Sequence, residues 1–481
     1  MSVLADDPKP WAQGPLGALE RLPHPPQWLT RMADPDVVGR ALVEGIPELA
    51  SGDFDLVSVR VERLRLKGDA WPVSLIAGVR SGRRERRVVL QGEVWPDGRE
   101  PAVAAGAPSP FPEPGWRGRI PGLRMSLHVA ADDSGLPHMA DLVHPERARM
   151  LLQDAIRRAT SSYREFEIVA CKPRVARYKR GSRCTVVYEL ELPDRGRDRG
   201  WPEMVVAKTH RGDKGRIAYE GMRALWDSSL RTGGAVALAE PLAFLPDRRI
   251  LIQGPVPGAE TLESLVERAV VALQGAAGGE LAAYLRKTGA GLAALHRSGV
   301  SAGDTVTWQD RLQEVKGLAA RLSPAATGIF DAVSPFLERI EAFASRFDPA
   351  PPGPSHRSFR PAQVMVHEGA VGFIDFDGFC RAEAALDLAL FCASLRDVGL
   401  RAAASPDDRA AGRTIALLDA MCEEFLAAYS DRMPLDRRRV AVWEGLDVLA
   451  NVLNCWAKLK FDRLPKRMLL LAHFLSRDPL G

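Results

Sequence analysis

The stretch "SHRSFRPAQVMVHEGAVGFIDFDGFC", residues 355–380, gathers the side chains best suited to chemistry: His356, Ser358, Gln363, Asp375 and Asp377. Upstream, "KRGSR" (179–183) holds Arg180, Gly181 and Arg183. "EMVVAKTH" (203–210) carries Lys208, and Glu220 follows. Phosphoryl transfer needs few parts: a loop over the phosphates, a strand lysine held by a helix glutamate, a loop residue beside the acceptor hydroxyl, and oxygen ligands for magnesium. The order of these residues along the chain offers one for each part. Glu203 and Asp213 compete with Glu220 as partner of the lysine.

Other chemistries find less support. Asp375 stands between Ile374 and Phe376, and an unpaired buried carboxylate is costly, so a cationic partner is expected. Asp377 is two residues on. In a strand it shares a face with Asp375, and otherwise it caps a turn. His24, His128, His138, His144, His210, His296, His367 and His473 show no ligand spacing and read as loop or core residues. Cys171, Cys184, Cys380, Cys392, Cys422 and Cys455 form no Cys-x-x-Cys pair and read as buried free thiols of a reducing compartment. The 481 residues carry a net charge of +4, too small to argue for nucleic acid. The arginine runs "RSGRRERR" (80–87) and "DRGRDRGW" (194–201) read as solvated turns. The N-terminus lacks a signal pattern and "MLLLAHFL" (468–475) is too short to span a bilayer, so the expected location is the cytoplasm, without membrane contact.

Patterning supplies the elements that must position these residues. After a Pro/Gly-rich lead (1–30), helical spacing at 33–50 precedes an antiparallel meander: "FDLVSVRVERLRLK", "WPVSLIAGVRSG" and "RRVVLQGEVWPDG". A proline-rich break (106–116) and the strand-like "GLRMSLHVA" follow. "HPERARMLLQDAIRRAT" (144–160) reads as an amphipathic helix with proline at its start. A second sheet begins near 166: two strands hinged at 180–182, the Lys208 strand, a helix over 214–228, then "AVALAEPLAFL" and "RRILIQGPVPG". Beyond 260 the pattern is almost wholly helical apart from 355–380. The first meander echoes the second in strand order and turn placement, as a degenerate copy would.

With these motifs in place, residues 165–481 resemble the aminoglycoside phosphotransferase and choline kinase family, relatives of the protein kinases. The family loop H-G-D-x-x-x-x-N stands here as "HRSFRPAQ" (356–363). Its I-D-F strand stands as "FIDFDG" (373–378), and its D-P-x-x-D-L-A as "RAEAALDLALF" (381–391). The resemblance implies an α+β, bilobal protein-kinase-like fold with an antiparallel N-lobe sheet and a helical C-lobe, to which the patterning of the preceding residues adds an extra N-terminal α/β domain. The expected division is 1–30 lead, 31–150 accessory domain, 151–255 N-lobe and 256–481 C-lobe. It also implies ATP and Mg2+, with Arg180, Gly181, Arg183, Lys208 and Glu220 at the nucleotide and Gln363 and Asp375 at the metal. His356 and Asp387 would brace the loop.

The departures matter as much. Ser358 replaces the catalytic aspartate, and a serine hydroxyl brings neither charge nor basicity; Asp377 is a substitute base on this reading. Gln363 keeps an amide oxygen one methylene further out than asparagine. The expected function is transfer of the γ-phosphate to a hydroxyl of a small molecule or peptide, slowed by the loss at Ser358. The alternative is a pseudokinase, a nucleotide-binding scaffold for a protein partner. A reversed-nucleotide transfer is a third reading without direct support.

Overall fold

The computed structural model describes residues 22, 26–95, 109–130, 133, 135–272, 278–403 and 408–477. Most of the 1–30 lead and the first part of the proline-rich break lie outside these residues. Two compact units form. The first gathers the described parts of Met1–Asp132 with Arg311–Arg346 and Val448–Gly481; the second is Asp133–Asp310 with Phe347–Asp447. Among the described residues no helix is long and apolar enough to cross a membrane.

The second unit holds the site. Its sheet follows from period-two alternation. In Arg183–Glu191, the residues Cys184, Val186 and Tyr188 are fully buried, and in Met204–His210 so are Val205 and Ala207. They pack against Ala148, Leu152, Ala155 and Ile156 of the helix Pro145–Ala159 in one hydrophobic core. Arg183, Lys208 and His210 alternate with these core residues and so belong to the opposite face. The five strands lie in the order Pro241–Leu245, Ile250–Gln253, Met204–His210, Arg183–Glu191, Ala170–Lys179, every neighbour antiparallel. The helix Lys214–Trp226 follows the third strand. The rest is largely helical, with Leu262–Val271, Gly278–His296, Ala385–Ala402 and Asp408–Ser430 as its main members. This is the α+β architecture, an antiparallel sheet followed by helices, that the sequence predicts for this part of the chain.

The first unit contains a sheet of the same topology. Its strands are Asp55–Leu64, Trp71–Ser81, Arg84–Val94, Arg117–Ile120 and Met125–Val129, ordered first, second, third, fifth, fourth, as in the second unit. In each unit a preceding helix packs on the first and fourth strands: Pro35–Gly45 here, Pro145–Ala159 there. The last hairpins also share a turn. Pro121–Leu123 and Pro246–Arg248 are single 3-10 turns, each closed by a left-handed arginine, Arg124 (φ 49°) and Arg249 (φ 53°). The register equates Glu93, opposite Ser126, with Lys208, opposite Leu251. The two sheets are thus a structural repeat in which the first carries an anion where the second carries its lysine.

Two boundaries differ from the expected ones. Met139–Val143 and Pro145–Ala159 cover the second sheet, with Tyr188 Oη donating to the Leu142 carbonyl at 2.7 Å, so that unit starts at 133 rather than 151. Residues 311–346 and 448–481, expected in the C-lobe, cluster with the first sheet; within that unit Leu66 N–H donates to the Ala457 carbonyl at 2.8 Å. The "RSGRRERR" run is the expected hairpin turn between paired strands, whereas 194–198 forms a short helix. All six cysteines are buried free thiols.

A buried ion pair ties the chain just before Ala385–Ala402 to the helix Arg437–Ala457. Arg439 donates to both carboxylate oxygens of Glu383 at 2.8 and 2.5 Å, and both residues are buried. Removing one partner strands a buried charge. Arg439→Ala is expected to lower unfolding free energy by about 3–5 kcal/mol in denaturant melts, with joint replacement of both residues by apolar side chains costing clearly less.

Candidate active site

The loop residues meet because the chain is closed twice. Gly353–Ser355 pairs with Cys380–Ala382, placing Ser355 opposite Cys380. Within that closure Val364–His367 pairs with Ala370–Phe373, placing Val364 opposite Phe373. Between the two ladders, the arms 356–363 and 374–379 must run side by side. The Ile374 N–H donates to the Gln363 carbonyl at 3.0 Å, and Ser358 Oγ lies 3.5 Å from the Asp375 carbonyl. Arg357 (φ 62°) and Asp375 (φ 71°) adopt the left-handed region that disfavours side chains, which locates backbone strain in this loop pair. The strand therefore ends at Phe373, and Asp375 and Asp377 do not share a face by strand alternation as the sequence predicts.

They nevertheless converge on the same cations. Lys208 Nζ is 3.4 Å from one Asp375 oxygen. Arg183 reaches the other Asp375 oxygen at 3.9 Å and Asp377 at 4.0 Å. His210 Nε2 lies 2.8 Å from Asp377 Oδ2. Burial raises the proton affinity of Asp377, but the His210 hydrogen bond and the Lys208 charge outweigh it and hold the carboxyl well below the usual carboxylate range. A carboxylate so held is a poor proton acceptor at neutral pH, which argues against Asp377 as substitute base.

His210 is the residue that sequence reasoning missed. It is buried and lies two residues beyond Lys208, opposite Arg183 in the ladder. The signal was available: a residue two places from the lysine on a strand shares its face. Glu220 is placed differently from the expected lysine partner. It pairs with Arg216 one helical turn back, at 2.9 Å, and Asp375 takes its place beside Lys208.

A cavity of about 490 Å3 opens on this junction. Its lining includes Arg183, Glu220, Ser358, Arg360, Asp375 and Asp377. The helix bearing Glu220 approaches closely because residue 221 is glycine; a Cβ there would lie 2.4 Å from the Phe379 ring. Of the turn residues, Arg183 lines the cavity. The Gly181 N–H (φ 62°) instead donates to the Asp133 carboxylate at 2.9 Å, with Tyr178 Oη on the same carboxylate at 2.9 Å.

The loop is braced from behind. Asp387, fully buried, accepts the His356 backbone N–H at 2.6 Å and contacts His296 Nε2 at 3.2 Å. His296 in turn meets Tyr429 Oη at 2.9 Å. The His356 ring, also fully buried, has Nε2 2.9 Å from the Ile374 carbonyl and Nδ1 3.2 Å from Ser358 Oγ. Burial pushes its imidazole toward the neutral form against the pull of Asp387.

Oxygen donors suited to a hard cation are present. Gln363 Oε1 and Asp377 Oδ1 are buried without a hydrogen-bond partner among the described residues, and an orphaned buried oxygen is costly unless a cation or water takes it. Among the described residues no three His, Cys, Asp or Glu side chains gather as a metal cluster. Magnesium uses one or two carboxylates plus phosphate and water rather than an all-protein cage, so the donor set fits it.

Residues 233–443 match the model of the phosphotransferase enzyme family, a span that contains the loop, Asp375, Asp377 and Asp387 but begins after the Lys208 strand. No curated protein matches the chain. Among solved structures, a glucosamine kinase is 17% identical with a TM-score of 0.48, covering 94% of this chain and 99% of its own. A glucosamine kinase in complex with glucosamine, ADP and inorganic phosphate is 20% identical, TM-score 0.48, covering 69% and 87%. A choline/ethanolamine kinase family protein from Mesorhizobium loti is 12% identical, TM-score 0.44, covering 70% and 99%. Over residues 233–443 the chain thus resembles the phosphotransferase enzyme family.

If the Asp377–His210 contact is the structural tie described, the two residues act as a unit. Asp377→Asn and His210→Ala are each expected to lower stability, and the double variant less than their sum, with a coupling energy of about 1–3 kcal/mol. Additive losses in the same melts would show the contact to be incidental.

Proposed function

We propose that the chain is a kinase-like phosphotransferase that binds a nucleoside triphosphate with magnesium and transfers the γ-phosphate to a hydroxyl of a small molecule. The observation that carries this reading is the convergence of Lys208 and Arg183 on Asp375, a carboxylate that lines the cavity together with Arg183. In this reading Lys208 and Arg183 exchange part of their contact with the carboxylates for phosphate oxygens, a strong charge-assisted pairing. Gln363 and Asp375 would hold magnesium, which supplies neutralisation of phosphate charge. Asp377 serves by fixing His210 and Arg183 rather than by moving a proton. His356 and Asp387 keep the loop in register with the Asp375 arm. Catalysis by such a site is mostly positioning and electrostatics, so loss of the loop carboxylate slows transfer without forbidding it. The similarity of residues 233–443 to the phosphotransferase enzyme family supports the reaction class.

The Asp133 contact with Gly181 favours a second reading, a nucleotide-binding scaffold, because an anion of the chain already takes the turn amide that a phosphate would use. Thermal-shift titration separates the readings from an empty fold. ATP with Mg2+ at about a hundred times its Kd adds about 2.7 kcal/mol and is expected to raise Tm by about 3–5 °C. Lys208→Ala and Asp375→Ala are each expected to abolish most of that rise. No rise at millimolar Mg-ATP would sink both readings; a rise without turnover toward any hydroxyl acceptor would leave the scaffold.

A further inference from the structure

We propose that Ser358 and His356 form a proton relay in place of the loop carboxylate, with Ser358 Oγ accepting the hydrogen bond of the acceptor hydroxyl while its own proton is directed at His356 Nδ1. The proposal rests on the phosphotransferase reading.

Hydrogen-bond accounting fixes the direction of the relay. The Ile374 carbonyl can only accept, so His356 Nε2 carries the proton of the neutral ring. His356 Nδ1 is then a lone pair, and Ser358 Oγ at 3.2 Å is its donor, a shorter contact than the hydroxyl's other acceptor, the Asp375 carbonyl at 3.5 Å. With its proton turned inward, the hydroxyl presents lone pairs to the cavity that Ser358 lines. A hydroxyl entering the cavity therefore meets an acceptor at the point where the family loop carries a carboxylate. The base itself sits one group further back.

The surroundings suit a transient imidazolium. His356 is fully buried and packs against Phe359 and Phe376, whose ring centroids lie 5.5 and 4.6 Å away. Of the two carboxylates that face it, Asp375 is committed to Lys208 and, in the proposed function, to the metal, which leaves Asp387 as its counter-ion. Asp387 is fully buried, and one of its oxygens has no partner among the described residues. In so dry a setting a new positive charge on the ring is attracted to that carboxylate far more strongly than in water. The resting ring is neutral, as a base must be, because burial lowers its proton affinity.

The step balances without another reagent. The acceptor oxygen forms a bond to the γ-phosphorus as the bond from that phosphorus to the β,γ-bridging oxygen breaks. The electron pair leaves with the nucleoside diphosphate. The acceptor proton passes to Ser358 Oγ as the Ser358 proton passes to His356 Nδ1. Ser358 is the catalytic residue, since it touches the reacting hydroxyl; His356 acts through it. A merely structural Ser358, present only to satisfy His356 Nδ1, would affect folding but not the ratio of turnover to nucleotide affinity.

The test uses the full chain with Mg-ATP and water as the acceptor, measuring phosphate release together with the nucleotide Kd for wild type, Ser358→Ala and Ser358→Thr. General-base assistance is worth about 100- to 10,000-fold. Ser358→Ala is expected to lose at least about 100-fold in turnover with Kd unchanged, and Ser358→Thr, which keeps the hydroxyl, to recover most of the loss. Turnover of Ser358→Ala at the wild-type rate overturns the relay while leaving the phosphotransferase reading intact. Wild type that binds Mg-ATP without releasing phosphate also overturns the relay and leaves a nucleotide site. Wild type that binds no Mg-ATP overturns the parent reading and the relay with it. Loss of turnover matched by Ser358→Thr, despite its hydroxyl, counts against the relay as well.

Discussion

The site depends on one electrostatic junction: two carboxylates, Asp375 and Asp377, held within about one hydrogen-bond or ion-pair length of Lys208, Arg183 and His210. Charges this close are tolerated in a half-buried cleft only because each has an opposite partner. The geometry of the rest follows from that requirement. Strand alternation puts Arg183, Lys208 and His210 on the face away from the helix Pro145–Ala159. The double closure of 355–380 brings the carboxylate arm beside the Ser358 arm. Asp387 and the ring of His356 anchor those arms from behind.

Much of this was legible in the sequence, for reasons that can be named. The sheet was readable because its strands alternate cleanly, as in the run Cys184, Val186, Tyr188. The loop and Asp375 stood out because "HRSFRPAQ" and "FIDFDG" keep the spacing of the family pattern they resemble. What stayed hidden was tertiary. The replacement of Glu220 by Asp375 beside Lys208 depends on where a distant loop arrives, and local spacing contains no record of that. The left-handed backbone of Asp375 broke the strand rule that had aligned it with Asp377. His210 stayed hidden because it has no ligand spacing, and only its place on the lysine's strand face marks it. Unit boundaries were missed because residues 311–346 and 448–481 join the first sheet across long sequence separations.

The repeated sheet sharpens the role of individual residues. Two copies of one topology, sharing even the left-handed arginine of the last turn, differ at the position of Lys208. Glu93 stands in the register of Lys208, so the first sheet keeps the architecture without the cation. An anion at that position repels phosphate. Fold and chemistry are therefore separable within one chain, and the function follows the site rather than the sheet.

On the proposed reading, the Asp375 junction holds a divalent cation together with nucleotide phosphates. Titration of Mn2+ followed by electron paramagnetic resonance, with and without ADP, addresses it directly. The account predicts that ADP creates a Mn2+ site in the wild-type chain that Asp375→Asn removes. Mn2+ binding that is unaffected by ADP, or identical in the two proteins, would contradict it.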